Sequence, residues 1–170
     1  MKALLVSAAA AGLIVATPAF AQAGPTSSAN ATADAVIVQP IKITKVTDLN
    51  FGRIAADTAS STVTVDNSGN RTSSSPSVLI ALGSSPTAAT FTVTGEASLG
   101  YAASLTASTI PLNGPTGSTP MSAALTLQQS APALDGSGNG AVSVGGVLSV
   151  GANQTPGAYA GTMTVNVQYN

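Results

Sequence analysis

From Pro156 to Asn170 the sequence keeps a period of two. Tyr159, Gly161, Met163, Val165, Val167 and Tyr169 fall on one side; Ala158, Ala160, Thr162, Thr164, Asn166, Gln168 and Asn170 fall on the other. That is the pattern of a half-buried strand and not the 3.6 spacing of an amphipathic helix. A long strand tipped with tyrosine needs a partner, because a lone strand leaves its backbone N–H and C=O groups unpaired.

The same period recurs along the chain. Ala33, Ala35 and Ile37 alternate with Asp34, Val36 and Val38; after Pro40, Ile41 and Ile43 resume against Lys42 and Thr44. Proline cannot donate to a ladder, so this stretch reads as an edge strand, a bulged strand or two strands that change sheets at Pro40. Asp48 to Gly52 reads as a short strand closing in a tight turn. Val63 and Val65 alternate with threonines, and Asn67-Ser68-Gly69-Asn70 follows as a hairpin turn. Ser77 to Leu82 reads as a strand buried on both faces. Further strands are expected around Phe91, Tyr101, Ile110, Met121 to Gln129 (the best helical candidate, though strand is preferred) and Val142 to Val150. No helical stripe persists. The expected class is all-β, as an immunoglobulin-like sandwich with a jelly roll as the alternative architecture.

The first residues read differently. Met1-Lys2, an apolar run from Ala3 to Ala16 and the A-x-A site Ala19-Phe20-Ala21 predict a signal peptide over 1–21. Ala21-Gln22-Ala23 offers a second site. The run is too short and alanine-rich for a membrane span, so none is expected after cleavage. Export from a bacterium, to the periplasm, cell surface or extracellular space, is therefore expected. Residues 22–31 are small, polar and aperiodic, a flexible arm. Residues 32–170 then form one domain of ordinary size, with no cysteine and so no disulfide to staple it.

Charge is scarce: 6% of residues, against roughly 25% in typical domains. Past the leader the basic residues are Lys42, Lys45, Arg53 and Arg71. So few cannot neutralise a nucleic-acid backbone. Weak mutual repulsion suits a protein that associates. With no His and no Cys, a His-based triad, a thiol nucleophile and zinc sites of those ligands are out. The carboxylates Asp34, Asp48, Asp57, Asp66, Glu96 and Asp135 are scattered, and no G-x-S-x-G elbow occurs. Asp135 to Gly140 resembles the first half of a calcium loop, but Gly146 stands where a bidentate Glu is required, so a glycine-rich connection is the better reading. No enzyme activity, cofactor or metal is expected.

Several stretches carry a family resemblance: Ile41-Lys42-Ile43-Thr44, Asp48 to Ile54, Phe91 to Glu96, Val144-Gly145-Gly146-Val147-Leu148, Val150 to Gln154, Pro156 to Gly161 and Val165 to Asn170. In these the chain resembles the proteobacterial secreted family known as domain of unknown function 4402, whose name implies no activity. More loosely, it is similar to chaperone–usher and Mat/Ecp-type fimbrial subunits and to spore-coat U-like proteins. Those end in an alternating strand with a penultimate aromatic, here Tyr169, and a glycine set back before it, here Gly157. The looser resemblance implies a periplasmic chaperone, an outer-membrane usher and self-association by β-strand addition. The assembly strand would carry Gly157, Tyr159, Met163, Val165, Val167 and Tyr169. The donor strand would be residues 32–43, carrying Ala33, Ala35, Ile37, Ile41 and Ile43. The expected function is a secreted structural subunit of a fimbria-like or surface assembly. The alternative is a self-complete secreted binding domain whose first strand pairs beside its last.

Overall fold

The computed structural model of the chain describes residues 24–83 and 85–170; the expected signal peptide lies outside the described residues. Residues 24–41 form no regular element, and every residue from 24 to 40 is exposed. The compact unit spans Ile37–Asn170. Its strands are β1 (Lys42–Thr47), β2 (Arg53–Ile54), β3 (Ser61–Val65), β4 (Arg71–Ser73), β5 (Leu79–Ile80), β6 (Ala89–Thr94), β7 (Tyr101–Leu105), β8 (Thr109–Leu112), β9 (Met121–Gln129), β10 (Asn139–Val150) and β11 (Val165–Tyr169). The only helical piece among the described residues is a 3-10 turn at Pro76–Val78. All strand pairs are antiparallel. The protein is thus nearly all-β, as its alternating residues require. The pairing gives one seven-stranded sheet and two two-stranded sheets, β11–β7 and β2–β5.

The long strand β10 organises the large sheet. On one edge it pairs first with β6, over Asn139 to Val144, and then with β3, over Gly146 to Val150. On its other edge it pairs with β9. The change of partner falls at Gly145, and glycine is required there. A Cβ would lie 2.5 Å from the Val65 carbonyl oxygen and 2.8 Å from the Asp66 carbonyl carbon. The incoming turn is fastened at this point: Asn67 Nδ2 donates to the carbonyls of Thr126 and Ser143, both at 3.0 Å.

Burial follows the period of two. In β3, Ser61, Val63 and Val65 are buried, and in β9 so are Met121, Ala123 and Leu125. The apolar residues among them join Phe51, Ile110, Val144 and Leu148 in the larger core cluster. A second cluster joins Val93 of β6 and Val142 of β10 to Tyr101 of β7, so the small β11–β7 sheet packs against the large one there.

One five-residue turn is used twice. Asp66-Asn67-Ser68-Gly69-Asn70 closes the β3–β4 hairpin, and Asp135-Gly136-Ser137-Gly138-Asn139 leads into β10. In the first, Asp66 Oδ1 accepts the N–H groups of Ser68 and Asn70 at 2.8 and 2.9 Å. In the second, Asp135 Oδ1 accepts those of Ser137 and Asn139, both at 2.8 Å. Gly69 and Gly138 take φ of 86° and 77°, which only glycine adopts freely.

Two local expectations need correction. Ser77 to Leu82 is not a strand buried on both faces. Pro76 presets a helical φ for the 3-10 turn, β5 covers only two residues, and Leu82 is 87% exposed. Nor is 32–43 one strand: pairing begins at Lys42, immediately after Pro40 and Ile41. Proline lacks the N–H that would extend the ladder upstream.

Gly145→Ala should lower stability by about 1–3 kcal/mol through backbone overpacking, read as a lower urea midpoint at unchanged slope. A second expectation concerns pH. Hydrogen bonds from Asn70 hold the Asp66 carboxyl below the usual carboxylate range, and those from the Asn139 and Ser137 N–H groups do the same for Asp135. A lowered folded pKa adds stability above the unfolded value, lost as pH falls through the folded one. Thermal stability should therefore drop below about pH 4, and less steeply in the Asp66→Asn, Asp135→Asn double variant.

Candidate functional site: the terminal strand and its open edge

The predicted inward face of the terminal stretch is the face that packs. Tyr159, Met163, Val165, Val167 and Tyr169 are half-buried, and the residues between them are exposed, Gly161 included. Regular pairing is shorter than the alternation. Ala160 bridges to Asn113, next to β8 of the large sheet, while Val165 to Tyr169 pair with β7 of the small one. The terminal stretch therefore changes partner between its two ends. Gly161 sits where a Cβ would run into the Pro111 carbonyl. Gly157 (φ 154°) lies against Pro115 with no room for a Cβ, so packing accounts for a glycine here. Tyr159 donates its hydroxyl to the Thr155 carbonyl at 2.9 Å and accepts from Gln154 Nε2 at 2.8 Å.

At the other end Tyr169 closes a ring of three hydrogen bonds. Its hydroxyl donates to the Gln39 carbonyl at 2.7 Å and accepts the Glu96 N–H at 2.7 Å; the Gln39 N–H donates to Glu96 Oε2 at 2.9 Å. Gly95 leaves the space for that hydroxyl. Beside the ring, Ile41 and Ile43 pack against the same cluster as Val167 and Tyr169. The chain's own upstream residues thus cover part of the seam by side chains, yet β1 pairs with β6 and not with β11. Of the other candidate donor residues, Ala33, Ala35 and Ile37 are exposed.

The backbone of β11 has two rows. Thr164 O accepts the Thr106 N–H and Asn170 N–H donates to Gly100, so the even-numbered residues face β7. Val165, Val167 and Tyr169 turn their backbone groups the other way. No strand among the described residues pairs with that row. The matching row of β7 is closed: Gln129 Oε1 accepts the Ala103 N–H at 3.1 Å, and Gln129 Nε2 donates to the Tyr101 carbonyl at 2.9 Å. One edge of the small sheet is capped by an amide and the other is open.

A cleft of about 480 Å³ lies at the Tyr159 end. Its floor is apolar, including Phe51, Leu112, Met121 and Leu148, and Arg53 is the only charged residue lining it. Among the described residues no three carboxylates gather. The Asp135 loop spends its carboxylate on its own N–H groups.

The family described as Domain of unknown function (DUF4402) matches residues 41–169. The chain belongs to that family. No curated protein and no solved structure matches it at a significant level. In this DUF4402 chain the match begins at Ile41, so the exposed segment 24–40 precedes the matched residues. The period of two carries no sign of the long-range roles of Gln39, Glu96, Asn67 and Gln129, whose polar side chains or backbone groups act across the fold. Arg71 is more than one of the chain's few charges. Its guanidinium bonds the carbonyls of Phe51, Arg53 and Ile80, tying β2 and β5 together. Arg71 is one of two arginines in a charge-poor chain, and that scarcity is the signal the sequence offers.

Tyr169→Phe removes a donor from Gln39 and an acceptor from Glu96. It should cost about 1–2 kcal/mol in equilibrium unfolding.

Proposed function

We propose that this protein is an exported structural subunit that assembles on the cell surface by β-strand addition, its exposed arm pairing with the open edge of β11 in the next copy. The supporting observation is a complementarity within one chain. Ile37 is 97% and Val36 89% exposed, on a segment with no regular structure, while the Val165–Tyr169 backbone row has no partner strand among the described residues. Exposed apolar residues and open edges are both costly in water and are relieved together by pairing. Burying a side chain such as Ile37 is worth about 1.5–3 kcal/mol. A periplasmic chaperone would cover the same edge before assembly, and an outer-membrane usher would exchange it for the arm. The layered packing of the small sheet on the large one fits an immunoglobulin-like sandwich open along one seam. Nothing in this reading requires a catalytic group.

The second reading, a self-complete binding domain, is favoured by the Tyr169–Gln39–Glu96 ring and by Ile41 and Ile43, which close part of the seam from within.

The purified chain beginning at Gln22 should form polymers visible by electron microscopy and light scattering. Ile37→Asn, at an exposed position, should leave it folded but monomeric. A concentrated wild-type sample that stays monodisperse would establish the second reading instead.

A further inference from the structure

We infer that the cleft at the Tyr159 end is the receptor for Ile37 of a second copy, so that the donated arm is read by a side-chain pocket as well as by backbone pairing; this rests on the strand-addition reading above. The cleft is walled by Leu49 to Ala56 on one side and Gln154 to Tyr159 on the other. Its apolar floor continues into the half-buried stripe of Met163 and Val165 through the larger core cluster. A strand laid along β11 toward Tyr159 therefore arrives at the cleft.

The occupant follows from the arm. In an extended segment Ala33, Ala35 and Ile37 share one face. The two alanines let the backbone lie close, and Ile37 is the large side chain that a cavity can select. Asp34 falls on the opposite face. It is the only charge between residues 24 and 41, and it is acidic; Arg53, exposed on β2, is the only charge lining the cleft, and it is basic. With Ile37 seated, Asp34 lies on the outward side, where an exposed arginine can meet it.

The chain's own Ile37 cannot serve. Gln39 is held by Tyr169 and Glu96, at the Thr94 end of β6. Two residues of chain reach at most about 7 Å. The cleft begins at Leu49 and Asn50, and Asn50 bridges to Thr87. From Thr94 to Thr87 the extended chain covers roughly 20 Å. An Ile37 seated in the cleft therefore has to come from another molecule.

The test uses the Ile37→Asn chain as receptor, so that the arms of other receptor copies do not compete for the cleft. It is labelled with ¹⁵N and titrated with an unlabelled peptide of residues 32–43. Amide shifts are expected at Phe51 to Ile54 and Thr155 to Tyr159, and the same peptide carrying Ile37→Asn should bind at least tenfold more weakly. Replacing Asp34 by Asn in the peptide should weaken binding a few-fold at low salt and not at high salt. Shifts confined to Val165–Tyr169, or equal binding by the two Ile37 peptides, would overturn the cleft assignment and leave strand addition standing. No binding by either peptide would overturn both.

Discussion

Backbone hydrogen bonding along β10 is the constraint on which the rest of this structure depends. Three other strands, β3, β6 and β9, take their register from it. A single strand can serve two partners on one edge only if the second enters where the first leaves. Here that crossing brings the backbone of Val65 to Asn67 over Gly145, closer than any side chain would allow. The Asn67 amide then holds the crossing in place. Val144-Gly145-Gly146-Val147-Leu148, one of the stretches that carried the family resemblance, is therefore a backbone junction.

The other consequence of strand pairing is what it leaves over. Every sheet that does not close has edges, and proteins blunt them with charge, proline or a covering group. On the edge strand β8, Pro111 has no N–H to offer. On β7 the Gln129 amide does the covering. With 6% charged residues the chain has little left to protect β11. Its protection is local: Tyr169 ties the end of β11 to Gln39 and Glu96, and Ile41 and Ile43 shelter its neighbours. The same ring holds the backbone of Gln39 beside Tyr169 and Glu96.

The strands and their inward faces were legible because a period of two survives in the residues themselves. Val63 and Val65, Met121 and Leu125, and Val165 and Val167 are inward where alternation puts them. Both Asp-to-Asn turns were legible for a similar reason, since the side chain bonds to N–H groups two and four residues on. Residues 32–41 form no strand within the chain, because alternation records which residues would share a face and not whether a partner edge is present. The ring, the Asn67 bridge and the Arg71 ties were not legible, because each joins groups far apart in the chain through polar atoms that have no period.

By itself, then, the sequence determined the class, the turns and which side chains face inward, all properties of neighbours within a few residues. Only the tertiary structure decided which strand pairs with which, that β11 takes β7 and leaves its other row open, and that Gln39 stops where Tyr169 can hold it. Those outcomes depend on contacts between distant segments, where hydrogen-bond geometry and the space left by a missing Cβ decide among pairings that the local pattern allows equally.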